Sequence, residues 1–130
     1  LLQRDARTAR EENGEEEDQE EREEGLSMSR VQQLMKLYEV DPADADVAYM
    51  LAQEHAKRDE QDDAVAWFDK CLAIDALYCY AYFHKARSLE ALGRLGDARE
   101  TLLMGMKASS DAGDAKAHGE IAGYLESLGA

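Results

Sequence analysis

From residue 29 to the C-terminal end, apolar side chains recur three and four residues apart, the spacing that gathers them on one face of a helix. Val31, Leu34, Met35 and Tyr38 follow it behind Ser29, with Gln32 three residues on, a capping-box spacing. This helix should end near Val40, because Pro42 disfavours helical geometry at Asp41. A second is expected over about Asp46–Lys57, its face built from Tyr49, Met50, Ala52, Gln53 and Ala56. A third covers about Asp63–Ile74 and carries Ala64, Trp67, Phe68, Cys71 and Leu72. A fourth spans about Tyr78–Leu92, and after the turn Gly93-Arg94-Leu95-Gly96 a fifth starts at Asp97, with Glu100 in capping-box register, and runs to about Ala108. The loop Ser109–Asp114 leads to a last helix over about Ala115–Leu128. The fold class is therefore all-α.

The pattern repeats. A shift of 34 residues superposes Ala52 on Ala86, Ala64 on Ala98, Phe68 on Leu102, Cys71 on Gly105 and Leu72 on Met106. A shift of 36 brings the last helix into line, His118 with Tyr82, Ala122 with Ala86, Leu125 with Leu89 and Leu128 with Leu92. Small residues at Ala52, Ala64, Ala86 and Ala98 let helix backbones approach to about 8–10 Å, and Phe68, Tyr82 and Leu102 fill the spaces between layers.

Two antiparallel helices in 34 residues resemble the tetratricopeptide repeat. At the family's signature positions the first repeat offers Ala48, Leu51, Ala52, Ala64, Phe68, Cys71 and Ala76, and the second Tyr82, Lys85, Ala86, Ala98, Leu102, Gly105 and Ser110. Ala48 stands where the family has a large residue, Lys85 where it has Leu, and two prolines are missing. The resemblance covers about residues 29–130 and implies a right-handed α–α superhelix of helical hairpins. Its organisation is an acidic disordered tail over 1–26 and a repeat domain over 27–130, with one preceding helix, repeats at about 45–78 and 79–112, and a capping helix at about 115–128.

Charge supports the division. Residues 1–25 hold 11 acids and 4 bases, and 11–24 read EENGEEEDQEEREE, with no apolar residue to offset the entropy of ordering. Such a block serves as a solubilising tail or as an arm that docks on a basic surface. The whole chain carries a formal net charge of −14, which argues against a nucleic-acid partner and disfavours an anionic membrane. No apolar run approaches the roughly 18–20 residues needed to span a bilayer, and no basic stretch precedes an apolar one as a secretory signal would require. A soluble, cytoplasmic protein is expected. Residues 76–110 reverse sign, with five bases against three acids.

Catalytic motifs are absent: there is no Gly-rich phosphate loop, paired-His zinc motif or nucleophile elbow. No enzyme activity, cofactor or metal is expected. Cys71 and Cys79 with His84 fall short of the four ligands of a structural zinc. Cys71 should be a packed thiol, Cys79 an accessible one, and both reduced. His55, His84 and His118 fall at different repeat positions and read as separate structural histidines.

The segment Tyr78–Phe83 holds four of the nine aromatics. The resemblance places Tyr80 and Phe83 on the concave face with Arg87 and Glu90, and beside them, one repeat earlier, Tyr49, Gln53 and Lys57. Aromatics with Arg dominate protein interfaces. An aromatic stripe at helical spacing builds a core as readily as a groove, and both placements stand at this point. The family's clamp for acidic chaperone tails would fall on Tyr49, Gln53, His84, Lys116 and Glu120, where only Lys116 fits, so that specialisation is rejected. The function implied is a non-catalytic interaction module binding a protein or peptide segment on its concave face, as a monomer or weak homodimer. The alternative is a structural homo-oligomer in which a second copy covers an apolar end.

Overall fold

The computed structural model describes residues 30–129, all of whose regular elements are helical. The chain divides into two units, Leu1–Gln33 and Leu34–Ala130. Of the first, only residues 30–33 are described, and they are helical. The expected acidic tail and the expected cap at Ser29 lie outside the described residues.

Six helices are described: α1 over 30–40, α2 Ala45–Lys57, α3 Gln61–Ile74, α4 Cys79–Ala91, α5 Leu95–Ala112 and α6 Ala115–Ser127. After Pro42, Asp44 caps α2, its carboxylate accepting from the backbone N–H groups of Asp46 and Val47 at 3.0 and 3.3 Å. Helices α2 and α3 pair, as do α4 and α5, and α6 packs on α5 and α4.

The 34-residue register extends to single hydrogen bonds. The α2–α3 turn closes with Glu60 N–H donating to His55 O at 2.9 Å, and the α4–α5 turn with Arg94 N–H donating to Leu89 O at 2.9 Å. Both turns pass through a left-handed residue, Asp59 at φ 59° and Gly93 at φ 77°. Asp is among the few residues with a side chain that enter this region readily. Gly129, at φ 83°, follows α6 at the offset of 36.

The core has two layers. Ala48, Ala52, Ala64, Phe68, Cys71 and Ala81 form one, with Trp67 and Tyr49 packed against it. Ala86, Leu89, Ala98, Leu102 and Ile121 form the other, with Phe83 and Tyr124 at its edge. Tyr38 meets Trp67 edge-on at 4.9 Å. Tyr82 is buried, and its hydroxyl donates to Ala76 O at 2.8 Å.

Three sequence expectations are corrected. Helix α5 starts at Leu95, two residues early, and its N-cap Arg94 makes no side-chain cap bond. Asp97 instead accepts from Arg94 Nε at 3.0 Å, so the expected capping box is not formed. The same helix runs four residues past Ala108, through most of the expected loop. The cause is the residue pair Asp75 and Ser109, 34 apart. Asp75 ends α3 by accepting from Leu77 N–H at 3.0 Å, whereas Ser109 turns its hydroxyl back onto Gly105 O at 2.9 Å and lets the helix continue to Gly113 in the left-handed region. Finally, Cys79 is buried rather than accessible, its thiol donating to Leu77 O at 3.3 Å.

Candidate functional site

Side chains of α2, α3, α4 and α6 line two adjoining clefts. The first, about 600 Å³, is walled by Gln53, Ala56 and Lys57 of α2, Gln61 and Phe68 of α3, and His84, Arg87, Ser88 and Ala91 of α4. The second, about 580 Å³, lies between α4 and α6 and is walled by Tyr80, Phe83, His84, Arg87, Glu90, Glu120 and Tyr124. Both fall within the roughly 300–1,000 Å³ typical of ligand pockets. His84 and Arg87 border both.

Of the seven residues named from the sequence, six line these clefts: Gln53 and Lys57 the first, Tyr80, Phe83 and Glu90 the second, and Arg87 both. Tyr49 is set back from them. Its ring packs on Tyr78 at 4.8 Å and meets Phe68 and His84 at 5.9 Å each, and its hydroxyl accepts from Gln53 Nε2 at 3.3 Å. Groove and core therefore divide the aromatic set between them.

His84 is held among rings, 5.2 Å from Phe83 and 6.4 Å from Phe68. Burial pushes its pKa below the ordinary histidine value, and the Arg87 charge adds to the shift. In the first cleft Gln61 donates to Asp59 Oδ1 at 3.1 Å, while its carbonyl oxygen is buried with no hydrogen-bond partner among the described residues. In the second, Tyr80 donates to Glu120 Oε1 and Tyr124 to Glu90 Oε1, each at 2.5 Å. The bond to Glu120 is the main reason the Tyr80 hydroxyl is pushed up to about 12. Desolvation, then the bond to Glu90, raises Tyr124. The same device recurs at the outer end of α2, where Tyr78 donates to Asp46 Oδ1 at 2.7 Å.

Lys85, at the signature position where Leu is expected, pairs with Asp69 of α3 at 2.6 Å, which accounts for a charged residue there. His118 has no part in either cleft. His55 closes the α2–α3 turn, its Nδ1 2.7 Å from Glu60 Oε1. With Asp63 these two form the one group among the described residues whose donor atoms, all within 4.8 Å of one another, are close enough to hold a metal ion. Three donors are one short of a structural zinc set, and the Arg58 guanidinium lies 3.5 Å from Glu60.

Against solved structures, the chain is 31% identical to a tetratricopeptide repeat domain protein from Salinibacter ruber, over 68% of this chain and 90% of that one, with a TM-score of 0.64. The chain belongs to the tetratricopeptide repeat family. The fold of this tetratricopeptide repeat protein is shared at 23% identity with the TPR2B domain of yeast Sti1, solved as a complex with pHsp70, at a TM-score of 0.71 over 87% of this chain and 94% of that one. It is shared at 17% identity with the translocator chaperone SycD of type III secretion in Yersinia enterocolitica, at a TM-score of 0.71 over 82% of this chain and 74% of that one. No family model and no curated protein matches the chain.

The sequence reading of the concave surface did not include His84, Gln61, Phe68, Ser88, Glu120 and Tyr124. A signal for the last two was present: the offset of 36 that aligns α6 puts Glu120 on His84 and Tyr124 on Ser88, both of which wall the clefts. No described helix is long and apolar enough to cross a membrane.

Proposed function

We propose that this tetratricopeptide repeat protein is a non-catalytic interaction module that binds an extended segment of a partner protein along the inner surface of α2, α4 and α6. The observation that carries this reading is the pair of adjoining clefts, which share His84 and Arg87 and so form one track across two repeat layers. The track offers aromatic faces at Tyr80, Phe83 and Tyr124 and polar groups at Gln53, Lys57 and Glu90, the mixture found in protein interfaces. Tyr49 is a supporting residue in this reading, holding Gln53 from beneath. The chaperone SycD and the solved complex of the yeast domain with pHsp70 support a protein partner. The protein acts as a monomer or weak homodimer in the cytoplasm, where two unbridged thiols are in keeping with a reducing compartment.

The test is selection of a displayed library of random 12-residue peptides on the full chain. Peptides enriched on the wild type should lose binding to a Phe83→Ala/Tyr124→Ala variant and keep it on Leu103→Ser/Met104→Ser, which alters two exposed residues outside the clefts. Enriched peptides that bind all three proteins equally would overturn the reading.

A further inference from the structure

The second cleft has a composition that the first does not share. Besides His84, three rings line it, with Phe83 between Tyr80 at 6.4 Å and Tyr124 at 5.2 Å. Two carboxylates, Glu90 and Glu120, stand at its edge, both exposed. Among the described residues neither has an ion-pair partner, and the hydrogen bonds from Tyr124 and Tyr80 occupy Oε1 of each. Those bonds fix ring and carboxylate together, and a carboxylate has about four acceptor sites, so each retains most of its capacity. Aromatic rings beside carboxylates that carry no ion pair attract cations on both counts.

We infer that the cleft between α4 and α6 receives a cationic side chain, an Arg or Lys of the bound segment, seated against Tyr80, Phe83 and Tyr124 and paired with Glu90 and Glu120. The inference rests on the concave-face reading and assigns the partner its chemistry at one position. Charge complementarity commits the site to a base, since two of the three formal charges that line the cleft are the carboxylates of Glu90 and Glu120. Arg87 is the one cation lining this cleft, and it sits at the border with the first cleft, where Lys57 is already tied to Glu54 at 3.4 Å. It opposes the incoming charge and tunes the site down. An acidic side chain would meet Arg87 but would face both carboxylates.

The probes are Nα-acetyl-arginine methylamide and its glutamine and glutamate counterparts, titrated into the full chain at low salt while the ring signals of Tyr80, Phe83 and Tyr124 are followed by NMR. The arginine probe should shift all three saturably and bind about fivefold more tightly than the glutamine probe. Glu90→Gln/Glu120→Gln should erase that preference, and Arg87→Gln, which removes no contact of the core, should strengthen it. Equal affinity for the arginine and glutamine probes, stronger binding of the glutamate probe, or no saturable shift would each overturn the inference. A peptide selection that depends on Phe83 and Tyr124 without enriching Arg or Lys would overturn it as well and leave the concave-face reading standing. Selected peptides indifferent to those two residues would overturn that reading itself.

Discussion

A Cβ at Gly105 would lie 2.7 Å from Cβ of Tyr82 and 3.2 Å from Cδ1 of Ile121, so α4, α5 and α6 meet at a point that only glycine can occupy. The nearest obstacle is the first atom of a side chain and cannot swing aside. In an unencumbered helix Gly→Ala would stabilise by about 0.8–1.0 kcal/mol, while overpacking costs about 1–3 kcal/mol. Gly105→Ala should therefore lower stability by up to about 2 kcal/mol, measured by urea unfolding. Gly119→Ala, on an exposed stretch of α6 with nothing within 4 Å, should stabilise.

Ala98 is fully buried at the second-layer contact of α4 and α5, 34 residues after the equally buried Ala64. Ala98→Leu is expected to cost about 1–3 kcal/mol. For a domain of this size about 1 kcal/mol moves the midpoint by roughly 4–8 °C. An unchanged thermal midpoint would mean that the two positions are not equivalent.

His84 gives stability a pH dependence of definite sign. Its folded pKa lies below the ordinary value of about 6.5 because the ring is buried and Arg87 is near. The unfolded chain thus takes up the proton first. The contribution of the neutral ring is complete above about pH 6.5 and is lost as pH falls through the folded value. Wild type should lose stability between neutral pH and the carboxylate range more steeply than His84→Phe, and denaturation curves at a series of pH values read the difference.

Light scattering on the eluting protein tests oligomerisation. Helix α6 buries Ile121 and packs Leu125 and Leu128 on the second layer, so the apolar side of that layer is covered from within the chain. The largest exposed apolar side chains of α5 are Leu103 and Met104, each 56% accessible. A mass near 14.5 kDa is expected at micromolar concentration. A dimer broken by Leu103→Ser/Met104→Ser would place an interface on that surface.

The repeat register was readable because it is written in size: Ala64, Ala98, Phe68 and Leu102 have partners at a fixed spacing, and each lands in the core as expected. The family resemblance carried the rest of the fold. Helix ends were harder to read, because they turn on competing local hydrogen bonds. Asp75 and Ser109 occupy equivalent positions and both are residues that leave helices easily, yet one stops the helix and the other bonds back into it. On the first helices of the repeats the sequence pointed to Gln53, Lys57, Tyr80, Phe83, Arg87 and Glu90 but not to His84 and Ser88. Phe68 and Gln61 were missed since they enter from α3, whereas the offset of 36 carried Glu120 and Tyr124 and Glu120 was considered only as a position of the rejected clamp. Tyr49 and Tyr80 look alike in sequence, but only the rings around each distinguish a supporting role from a lining one.

The outer wall of the second cleft is the last helix, and its hydrogen bonds to α4 join residues 34 and 40 apart, among the longest-range side-chain bonds of the fold. Among the described residues helix α6 rests on α5 and α4. In a stack held by neighbours, a helix packed on fewer elements opens at lower free energy than those packed on both sides. Each such excursion would carry Glu120 and Tyr124 away from Phe83 and dissolve the cleft. Amide protons of α6 should accordingly exchange sooner than those of α3 and α4, and a bound cation should slow that exchange, which makes occupancy of the cleft a clamp that holds α6 to α4.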